Sequence, residues 1–314
     1  VVHLHCPMIS WSEKQFRDCK MNIAPIVSSL HGSWLGEKDG LLTAKEQKET
    51  AVWANPNDLA ILLTSSRYAK FENQALSGSD VCVANSEATK RDFLSRYSPP
   101  NDWNCEVIYW GVDTEMFTPT ENRNKDFRSR FGCSDDDILL LAVGRLAARK
   151  GYGSLLQAFA NVKSNFSNCK LVIVGRGHLR KRLLNQAHSL GISSSVYIES
   201  SMSFEELAEL FRNADLTVYP SYYEGQGLIP LESMSSGTPV VTVNHGPLPE
   251  MVDSEVGALF DMGDINSMSE TILKEISDKK SLQKKGVAGR KKVLQNFTYE
   301  IDADSFIEIY ERIQ

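Results

Sequence analysis

Short apolar runs recur along the whole chain, and each is followed by a segment whose apolar side chains have helical spacing. The longest run, residues 138–143, reads Ile-Leu-Leu-Leu-Ala-Val. Brief apolar runs that alternate with helices are typical of parallel sheets with both faces covered. They are far shorter than the roughly 20 apolar residues that a membrane span needs. The sequence therefore predicts an α/β fold of doubly wound parallel sheets without a transmembrane helix.

The predicted strands fall into two groups, which a polar, turn-rich segment separates. The N-terminal group has strands at 1–5, 26–31, 81–86 and 106–111, and helices at 56–75 and 87–97. The C-terminal group has strands at 138–143, 170–174, 196–199, 215–219, 239–243 and 258–260. We therefore predict an N-terminal domain over 1–111, a link over 112–137, a C-terminal domain over 138–298, and a last helix over 299–314 that crosses back to the N-terminal domain.

The composition is that of a soluble intracellular enzyme. Of 314 residues, 42% are hydrophobic and 24% are charged, which is enough for about two domains with cores of their own. Lys and Arg number 34 against 40 Asp and Glu, a net charge of −6, which argues against nucleic acid as the main partner. The six cysteines form no Cys-x-x-Cys pair, so we expect reduced thiols in the cytoplasm and neither a zinc site nor a disulfide framework.

Two carboxylates flank a glycine-rich turn that leads from a predicted strand into a helix. The stretch runs from Glu224 through Gly225 and Gly227 to Glu232. The glycines leave backbone N–H groups open to a ligand, and the start of a helix favours anions such as a diphosphate. Carboxylates on either side suit hydrogen bonds from sugar hydroxyls. Glu232 has a second reading, as an acid of the first helical turn that complements the helix dipole.

Two cations follow the strand predicted at 138–143. Arg145 comes after Gly144, and Lys150 stands at the start of the next predicted helix. The planar Arg fork and the compact Lys charge suit two bridged phosphates in a site without a metal. The alternative is a pair of solvated surface cations, because charges at helix starts are common. Arg149, which lies between them, is the less suited phosphate ligand.

Four motifs occur in the order and approximate spacing of a known enzyme family. They are Val143-Gly144-Arg145-Leu146 with Lys150, the run 171–177, the Glu224 to Glu232 segment with 236–241, and Gly246 to Glu250. In these motifs the chain resembles the retaining glycosyltransferases of group 1 (family 4), and ordered motifs are more specific than a lone Gly-x-Gly. The resemblance covers the C-terminal half. It implies the GT-B fold, in which two Rossmann-like domains enclose a cleft, and sugar transfer from a nucleoside diphosphate donor with retained configuration.

The resemblance also implies a role for each candidate site residue. The expected donor is a UDP-sugar or a GDP-sugar, no metal or other cofactor is expected, and the acceptor is a glycan, lipid-linked or small molecule. The residues expected to act in catalysis are His31, Glu224, Arg145 and Lys150. The residues expected to bind the donor are Gly144, Glu199, Ser200, Gly225, Gln226, Gly227, Leu228 and Glu232.

The histidines differ in what their positions indicate. His31 closes a predicted strand at the place of the family's histidine that faces the donor sugar, where a neutral imidazole holds a hydroxyl or developing charge. His3 and His5 point to one face of their strand, and His3 is expected to be a satisfied histidine at the edge of the core. Two positions depart from the pattern of the family. Gln226 replaces the Phe often found between the two glycines of the turn, a departure expected to alter sugar preference. His245 lies where the family usually has a glycine pair near the donor.

The N-terminal domain is expected to be incomplete. In the family it opens with a strand and a glycine-rich loop, whereas here Val-Val-His-Leu-His resembles a later strand and no Met precedes it. At about 30 residues per strand-helix-strand unit, on the order of 80 residues would be absent. We therefore expect a truncated, fragmentary or split enzyme, with a partner chain as one source of the missing strands. A non-catalytic nucleotide-sugar-binding subunit and a GT-B epimerase or phosphorylase stay open as alternatives.

Three further patterns carry weaker predictions. Asp135-Asp136-Asp137 has the spacing of a metal-binding Asp-x-Asp motif but precedes a strand, so it predicts turn acids. The basic run within 279–292 predicts a solvated helix face, with peripheral contact to anionic lipid headgroups as the alternative. Ser203 and Glu206 predict a capping box at a helix start.

Overall fold

A computed structural model describes residues 1–6, 10–49, 55–134, 136–200 and 202–314. Its strands are β1 (Val2–Cys6), β2 (Ile26–Leu30), β3 (Val81–Ala84), β4 (Cys105–Val107), β5 (Ile138–Val143), β6 (Cys169–Val174), β7 (Val196–Glu199), β8 (Leu216–Tyr219), β9 (Val240–Val243) and β10 (Gly257–Phe260). Its helices are α1 (Glu13–Asn22), α2 (Trp34–Glu46), α3 (Pro56–Gly78), α4 (Glu87–Arg96), α5 (Lys125–Ser129), α6 (Tyr152–Asn165), α7 (Arg180–Ser189), α8 (Phe204–Asn213), α9 (Leu228–Ser235), α10 (Leu248–Met251), α11 (Ile265–Ile276), α12 (Lys279–Asn296) and α13 (Tyr299–Ile313).

The strands of the described residues form two parallel sheets. The N-terminal sheet has four strands in the order β1-β2-β3-β4, and the C-terminal sheet has six in the order β10-β9-β8-β5-β6-β7. Each predicted strand is present, and the largest difference is in β4, which ends at Val107 instead of residue 111. The predicted α/β fold with two parallel-sheet domains is therefore confirmed.

Both faces of the C-terminal sheet are covered, which explains the continuous apolar run of its central strand. All six residues of β5 are buried. Alternate residues enter different apolar clusters, with Leu139, Leu141 and Val143 in one and Ile138, Leu140 and Ala142 in the other. A strand buried on both sides has no solvent face on which to place polar residues.

The segment predicted as the interdomain link packs into the C-terminal core. Phe117, Phe127 and Phe131 are buried in one of the two clusters that cover β5. At the beginning of the segment, the N–H group of Val112 donates to the carbonyl of Phe297 at 3.0 Å. The segment is thus anchored along its length, and the domain boundaries themselves stay a prediction.

The last helix lies against the N-terminal sheet. Ile309 of α13 is buried in one cluster with Val27, Val81 and Val83. The hydroxyl of Tyr310 is 2.6 Å from a ring nitrogen of His3 in β1. The C-terminal end of the chain therefore covers one face of the sheet that the N-terminal part builds.

The basic run of α12 is used partly inside the fold. Lys285 donates to the carboxylate of Glu275 at 2.7 Å, and Arg290 donates to the carbonyl of Phe117 at 2.8 Å. Lys292 also forms an ion pair, with Asp253 at 2.7 Å. These three cations make structural contacts, so only the exposed lysines of the run fit the predicted solvated face. Within the described ranges, no helix combines the length and the apolar composition needed to cross a membrane.

Candidate functional site

The loop between β8 and α9 reaches from the C-terminal domain to the N-terminal domain. The ring of Tyr223 packs so closely on α2 that a Cβ added to Gly36 would lie 2.4 Å from it. Its hydroxyl accepts a hydrogen bond from the N–H group of Ser33 at 2.6 Å. The carbonyl of Gly225 accepts from the hydroxyl of Ser86 at 2.7 Å. The loop predicted to cradle a diphosphate, which belongs to the C-terminal domain, is therefore fixed to the N-terminal domain at several points.

The side chain of Gln226 is directed into the N-terminal domain. It is buried, with 2% of its surface exposed. Its Oε1 atom accepts from the backbone N–H group of Trp110 at 2.8 Å, and its Nε2 atom donates to the backbone carbonyl of Trp110 at 3.0 Å. Both polar atoms of the side chain therefore contact Trp110. The roles that the resemblance implies for Gln226, in donor binding and in sugar preference, stay predictions, with its backbone as the candidate contact.

Glu224 and Lys150 form a buried ion pair at the end of β8. The same carboxylate accepts from the hydroxyl of Tyr219 at 2.7 Å. Burial disfavours the charge on Glu224, but the positive charges of Lys150 and Arg149 outweigh it and hold the pKa of Glu224 below its usual range. Burial lowers the pKa of Lys150, and the charge of Glu224 opposes that shift. Two predicted site residues are thus in direct contact.

Arg145 and Arg149 have different surroundings, although both follow β5. Arg145 is exposed. Arg149 donates to the carboxylate of Glu37 in α2 at 3.0 Å, and its carbonyl accepts from the N–H group of Tyr222 at 2.8 Å. Arg149 therefore joins the two domains, whereas the side chain of Arg145 is open to solvent.

Glu232 lies on α9 with an unpaired carboxylate oxygen. Its Oε2 is buried and has no hydrogen-bond partner among the described residues. Burial raises the pKa of Glu232 to about 7. A buried polar group without a partner is unfavourable unless a ligand supplies one, which suits the predicted contact with a ribose hydroxyl. The alternative reading of Glu232 as a first-turn acid is wrong, because the first turn of α9 contains no acidic residue.

The helix α9 begins where the backbone requires glycine. Gly227 has a φ of 103°, in the left-handed region that side chains with a Cβ avoid. The first residue of the helix, Leu228, lines a cavity of about 520 Å³ together with His31 and Trp110. The start of the helix, with its free N–H groups, is therefore close to the predicted histidine.

His31 follows β2 and belongs to a row of histidines. Its Nε2 is 2.9 Å from Nδ1 of His5, and its ring centroid is 4.4 Å from that of Trp110. Its Nδ1 is buried without a partner among the described residues. Burial, together with the charges of His5 and His3, lowers the pKa of His31 to about 4, so the ring is neutral at neutral pH. Both ring nitrogens of His3 are hydrogen-bonded, as predicted for a satisfied histidine.

Glu199 and Ser200 lie at the C-terminal end of β7, one of the two edge strands of the C-terminal sheet. The carbonyl of Glu199 accepts from the N–H group of Gly175 at 2.8 Å. Gly144 is at the same end, because a Cβ added to Gly175 would lie 1.8 Å from the Gly144 carbonyl oxygen. Ligands of open α/β sheets bind at the carboxyl ends of the strands. The role of Glu199 and Ser200 in binding a base stays a prediction.

A cavity of about 380 Å³ lies between the domains beside Glu224. His245 lines it from the C-terminal domain, and Arg91 and Asp92 line it from α4. Burial lowers the pKa of His245, and the charge of Asp92 opposes that shift. A carboxylate and a neutral imidazole facing one space of this size suit a hydroxyl-rich molecule.

Two glutamates to which the sequence analysis gives no role hold the domains together. Glu49 accepts from the N–H groups of Gly153 and Ser154 at the start of α6, at 2.7 and 2.8 Å. Glu250 accepts from the N–H group of Ala88 at the start of α4, at 2.7 Å. Each carboxylate thus stabilises a helix N-terminus of the other domain. Glu250 closes the fourth sequence motif, which is a signal for it, whereas Glu49 stands in no motif.

The sequence predicts that the aspartates before β5 are turn acids, and the contacts of Asp137 fit that prediction. Asp135 lies outside the described residues. Asp137 accepts from the N–H group and the hydroxyl of Ser134, both at 2.7 Å. Within the described part of the chain, no group of three His, Cys, Asp or Glu side chains is placed to hold a metal ion.

Two sequence families match the chain. Residues 123–292 match the family described as glycosyl transferases group 1. Residues 1–116 match the family described as glycosyltransferase family 4. The first match alone spans more than half of the chain and includes the ion pair of Lys150 and Glu224.

Named relatives in sequence are glycosyltransferases. The chain is 30% identical over 247 residues to D-inositol 3-phosphate glycosyltransferase of Corynebacterium diphtheriae, an alignment that covers 76% of this chain and 57% of the relative. It is 29% identical over 228 residues to the GDP-mannose-dependent alpha-(1-6)-phosphatidylinositol monomannoside mannosyltransferase of Mycolicibacterium smegmatis, covering 70% of this chain and 59% of the relative. The chain therefore spans less than two thirds of the length of these relatives.

Similar solved structures share the fold. Sucrose-phosphate synthase of Thermosynechococcus elongatus has a TM-score of 0.79 at 22% identity, covering 99% of this chain and 72% of that one. Anabaena HepE in complex with UDP and glucose has a TM-score of 0.74 at 19% identity, covering 96% and 76%. These likenesses concern the fold, in which two parallel-sheet domains enclose a cleft. With the family match over 123–292, they show that the chain belongs to the group 1 glycosyltransferases and has the GT-B fold.

Proposed function

We propose that the chain binds a nucleoside diphosphate sugar in the cleft and transfers the sugar to an acceptor hydroxyl with retention of anomeric configuration. The observation that carries the proposal is the ion pair of Lys150 and Glu224. Glu224 lies in the loop before α9, and α9 carries the unpaired carboxylate of Glu232. These groups supply a cation for phosphate and two acceptors for hydroxyls. UDP and GDP are the nucleotides to test, because UDP is bound in the Anabaena structure and GDP-mannose is named for the Mycolicibacterium relative.

The diphosphate is proposed to lie at the start of α9. The N–H groups of the first helical residues have no partner within the helix, and the helix dipole favours an anion there. Arg145 is exposed and offers a bidentate fork, while Lys150 contributes a compact charge. Fixed donors and cations of this kind stabilise the leaving diphosphate as its charge builds during transfer.

The sugar and the ribose are proposed to bind on either side of the diphosphate. Glu224 lines the cavity between the domains and accepts from hydroxyls of the transferred sugar, and His245 lines the same cavity. Glu232 accepts from a ribose hydroxyl through its unpaired oxygen. In this arrangement both carboxylates meet hydroxyl groups, and the charge of Lys150 offsets the repulsion between Glu224 and the phosphate oxygens.

Transfer is proposed to proceed on one face of the sugar. Glu224 is tied to Lys150 and Tyr219, which places it with the phosphate-binding cation and not behind the anomeric carbon as a nucleophile. The bond between the anomeric carbon and the phosphate oxygen breaks, and the bond to the acceptor oxygen forms on the same face. The acceptor proton moves to the departing phosphate oxygen. The neutral ring of His31 holds a sugar hydroxyl through its unpaired Nδ1.

The first test is calorimetric binding of UDP, GDP and ADP without added metal. We expect one nucleotide to bind selectively, and Arg145→Ala to weaken it about 10- to 100-fold, since a charge-assisted pair contributes about 1.5–3 kcal/mol. Arg17→Ala removes an exposed arginine from α1 of the other domain and serves as the matched control. NMR of the product formed from the matching nucleotide sugar then reports its anomeric configuration.

Each result has a definite meaning for the proposal. Absence of binding by all three nucleotides removes the donor site. Binding without any release of sugar, with or without an acceptor, supports the non-catalytic binding subunit instead. A product of inverted configuration contradicts transfer on one face.

A further inference from the structure

We propose that Gln226 is a positioning residue, which fixes Trp110 against the ring of His31 and so sets the orientation of that imidazole in the transfer step. The inference rests on the proposed function, because His31 is the group that it positions. It gives Gln226 a role other than the donor contact expected from sequence.

The side chain of Gln226 bonds to the backbone of Trp110, which lies past the end of strand β4. Strand β4 ends at Val107, so Trp110 lies beyond its ladder. The side-chain amide of Gln226 accepts from the backbone N–H group of Trp110, at 2.8 Å, and donates to the backbone carbonyl of Trp110, at 3.0 Å. Two hydrogen bonds to one residue define the direction of its backbone, and the 2% exposure of Gln226 keeps water from competing for them.

The backbone of Trp110 determines what covers His31. The two ring centroids are 4.4 Å apart with an interplanar angle of 54°. The Nε2 of His31 is hydrogen-bonded to His5 at 2.9 Å. With one nitrogen bonded and one side covered by the indole, the Nδ1 atom is the part of the ring left for a substrate. A shift of Trp110 would remove one of the two ring contacts that oppose rotation of the imidazole and leave only the contact with His5.

Only some side chains reproduce this contact. Glutamine offers a donor and an acceptor on one planar group, and a protonated glutamic acid offers the same pair. An ionised glutamate has no donor and would face the Trp110 carbonyl with a like partial charge. Leucine and phenylalanine have neither group. The chemistry therefore predicts that Glu at this position works only when it is protonated.

The experiment compares Gln226→Leu and Gln226→Glu with the parent chain. UDP-glucose and GDP-mannose are the probes, and their hydrolysis is measured because it needs no identified acceptor. We expect both variants to bind UDP or GDP within about threefold of the parent, and the hydrolysis rate at pH 8 to fall about 10- to 100-fold, as for a small misplacement of a reacting group. Gln226→Glu should recover as the pH falls toward about 5.5, because burial raises the pKa of a carboxyl group, and Gln226→Leu should not.

The NMR signals of the His31 ring provide a readout that is independent of turnover. We expect the ring-current shift from Trp110 to be lost in Gln226→Leu and restored in Gln226→Glu at low pH. Unchanged His31 signals in Gln226→Leu, or equal hydrolysis by that variant and the parent, would overturn the inference. If the parent neither binds nor hydrolyses the probes, the proposed function fails, and the His31 signals still decide whether Gln226 positions the ring.

Discussion

Lys150 and Glu224 neutralise each other inside the cleft of this chain. Both side chains are nearly buried, with 10% and 12% of their surfaces exposed. Each is proposed to bind a different part of the donor, and each is the other's buried partner. We therefore expect the stability of the chain and the proposed donor binding to be coupled through this pair.

Removal of Lys150 alone should be strongly destabilising. We expect Lys150→Met to lower the free energy of unfolding by about 3–5 kcal/mol, because it leaves the Glu224 charge buried without a partner. The double variant Lys150→Met, Glu224→Gln should regain most of the loss, since no net charge then remains. Urea unfolding of the parent, the two single variants and the double variant gives the coupling energy. Additive losses would show that the two side chains do not depend on each other.

A second prediction concerns the contact of Tyr223 with α2. A Cβ added to Gly36 would lie 2.4 Å from the Tyr223 ring. We expect Gly36→Ala to lower the free energy of unfolding by about 1–3 kcal/mol, because the helix must move away from the loop. The same substitution in a Tyr223→Ala background should instead be neutral or stabilising by up to about 1 kcal/mol, the helix preference of Ala over Gly.

Urea unfolding of these variants tests the change of sign. The Tyr223→Ala background is the control, because it removes the ring and keeps the glycine. If Gly36→Ala is equally unfavourable in both backgrounds, the ring is not the reason why this position is glycine.

The helices of the N-terminal domain show where local sequence fails as a guide. The sequence does not predict α2, because Gly36 and Gly40 are poor helix formers and nothing nearby accounts for them. Their reason is Tyr223, nearly two hundred positions away along the chain. The strands were easier to predict, because burial on both faces leaves a run such as 138–143 without polar residues.

The candidate site also has contacts that the sequence indicates and contacts that it does not. Glu224 and Lys150 could each be placed beyond the C-terminal end of a strand from sequence, where ligands of such sheets bind. That their two strands are neighbours is known only from the structure. The partners of Gln226 and Glu49 are separated from them by 116 and 104 positions. Such contacts depend on how the two domains meet, and no local pattern encodes that.

Glu49 should be essential for the junction between the domains. We expect Glu49→Ala to destabilise the chain by about 2–4 kcal/mol, because the start of α6 loses its acceptor and buried N–H groups are left unpaired. Hydrogen exchange of the Gly153 and Ser154 amides is the direct measurement, and both should exchange faster. Glu46→Ala removes an exposed glutamate from the same region and should leave that exchange unchanged. Equal protection in Glu49→Ala and the parent would contradict the role of Glu49 as a cap.

The binding of nucleotide should depend on pH through Glu232. Burial raises the pKa of this carboxyl group to about 7, so it is protonated in the folded chain below that pH and ionised above it. Hydrogen bonds to an ionised acceptor are stronger by about 1 kcal/mol, and we therefore expect the affinity for UDP or GDP to rise about fivefold as the pH increases from about 6 to 8. Glu232→Gln cannot ionise and should lose this rise, while the titration of the nucleotide phosphate, common to both chains, cancels in the comparison. The reasoning fails if calorimetry finds the same pH dependence in the parent and in Glu232→Gln, because the unpaired oxygen of Glu232 would then not meet the nucleotide.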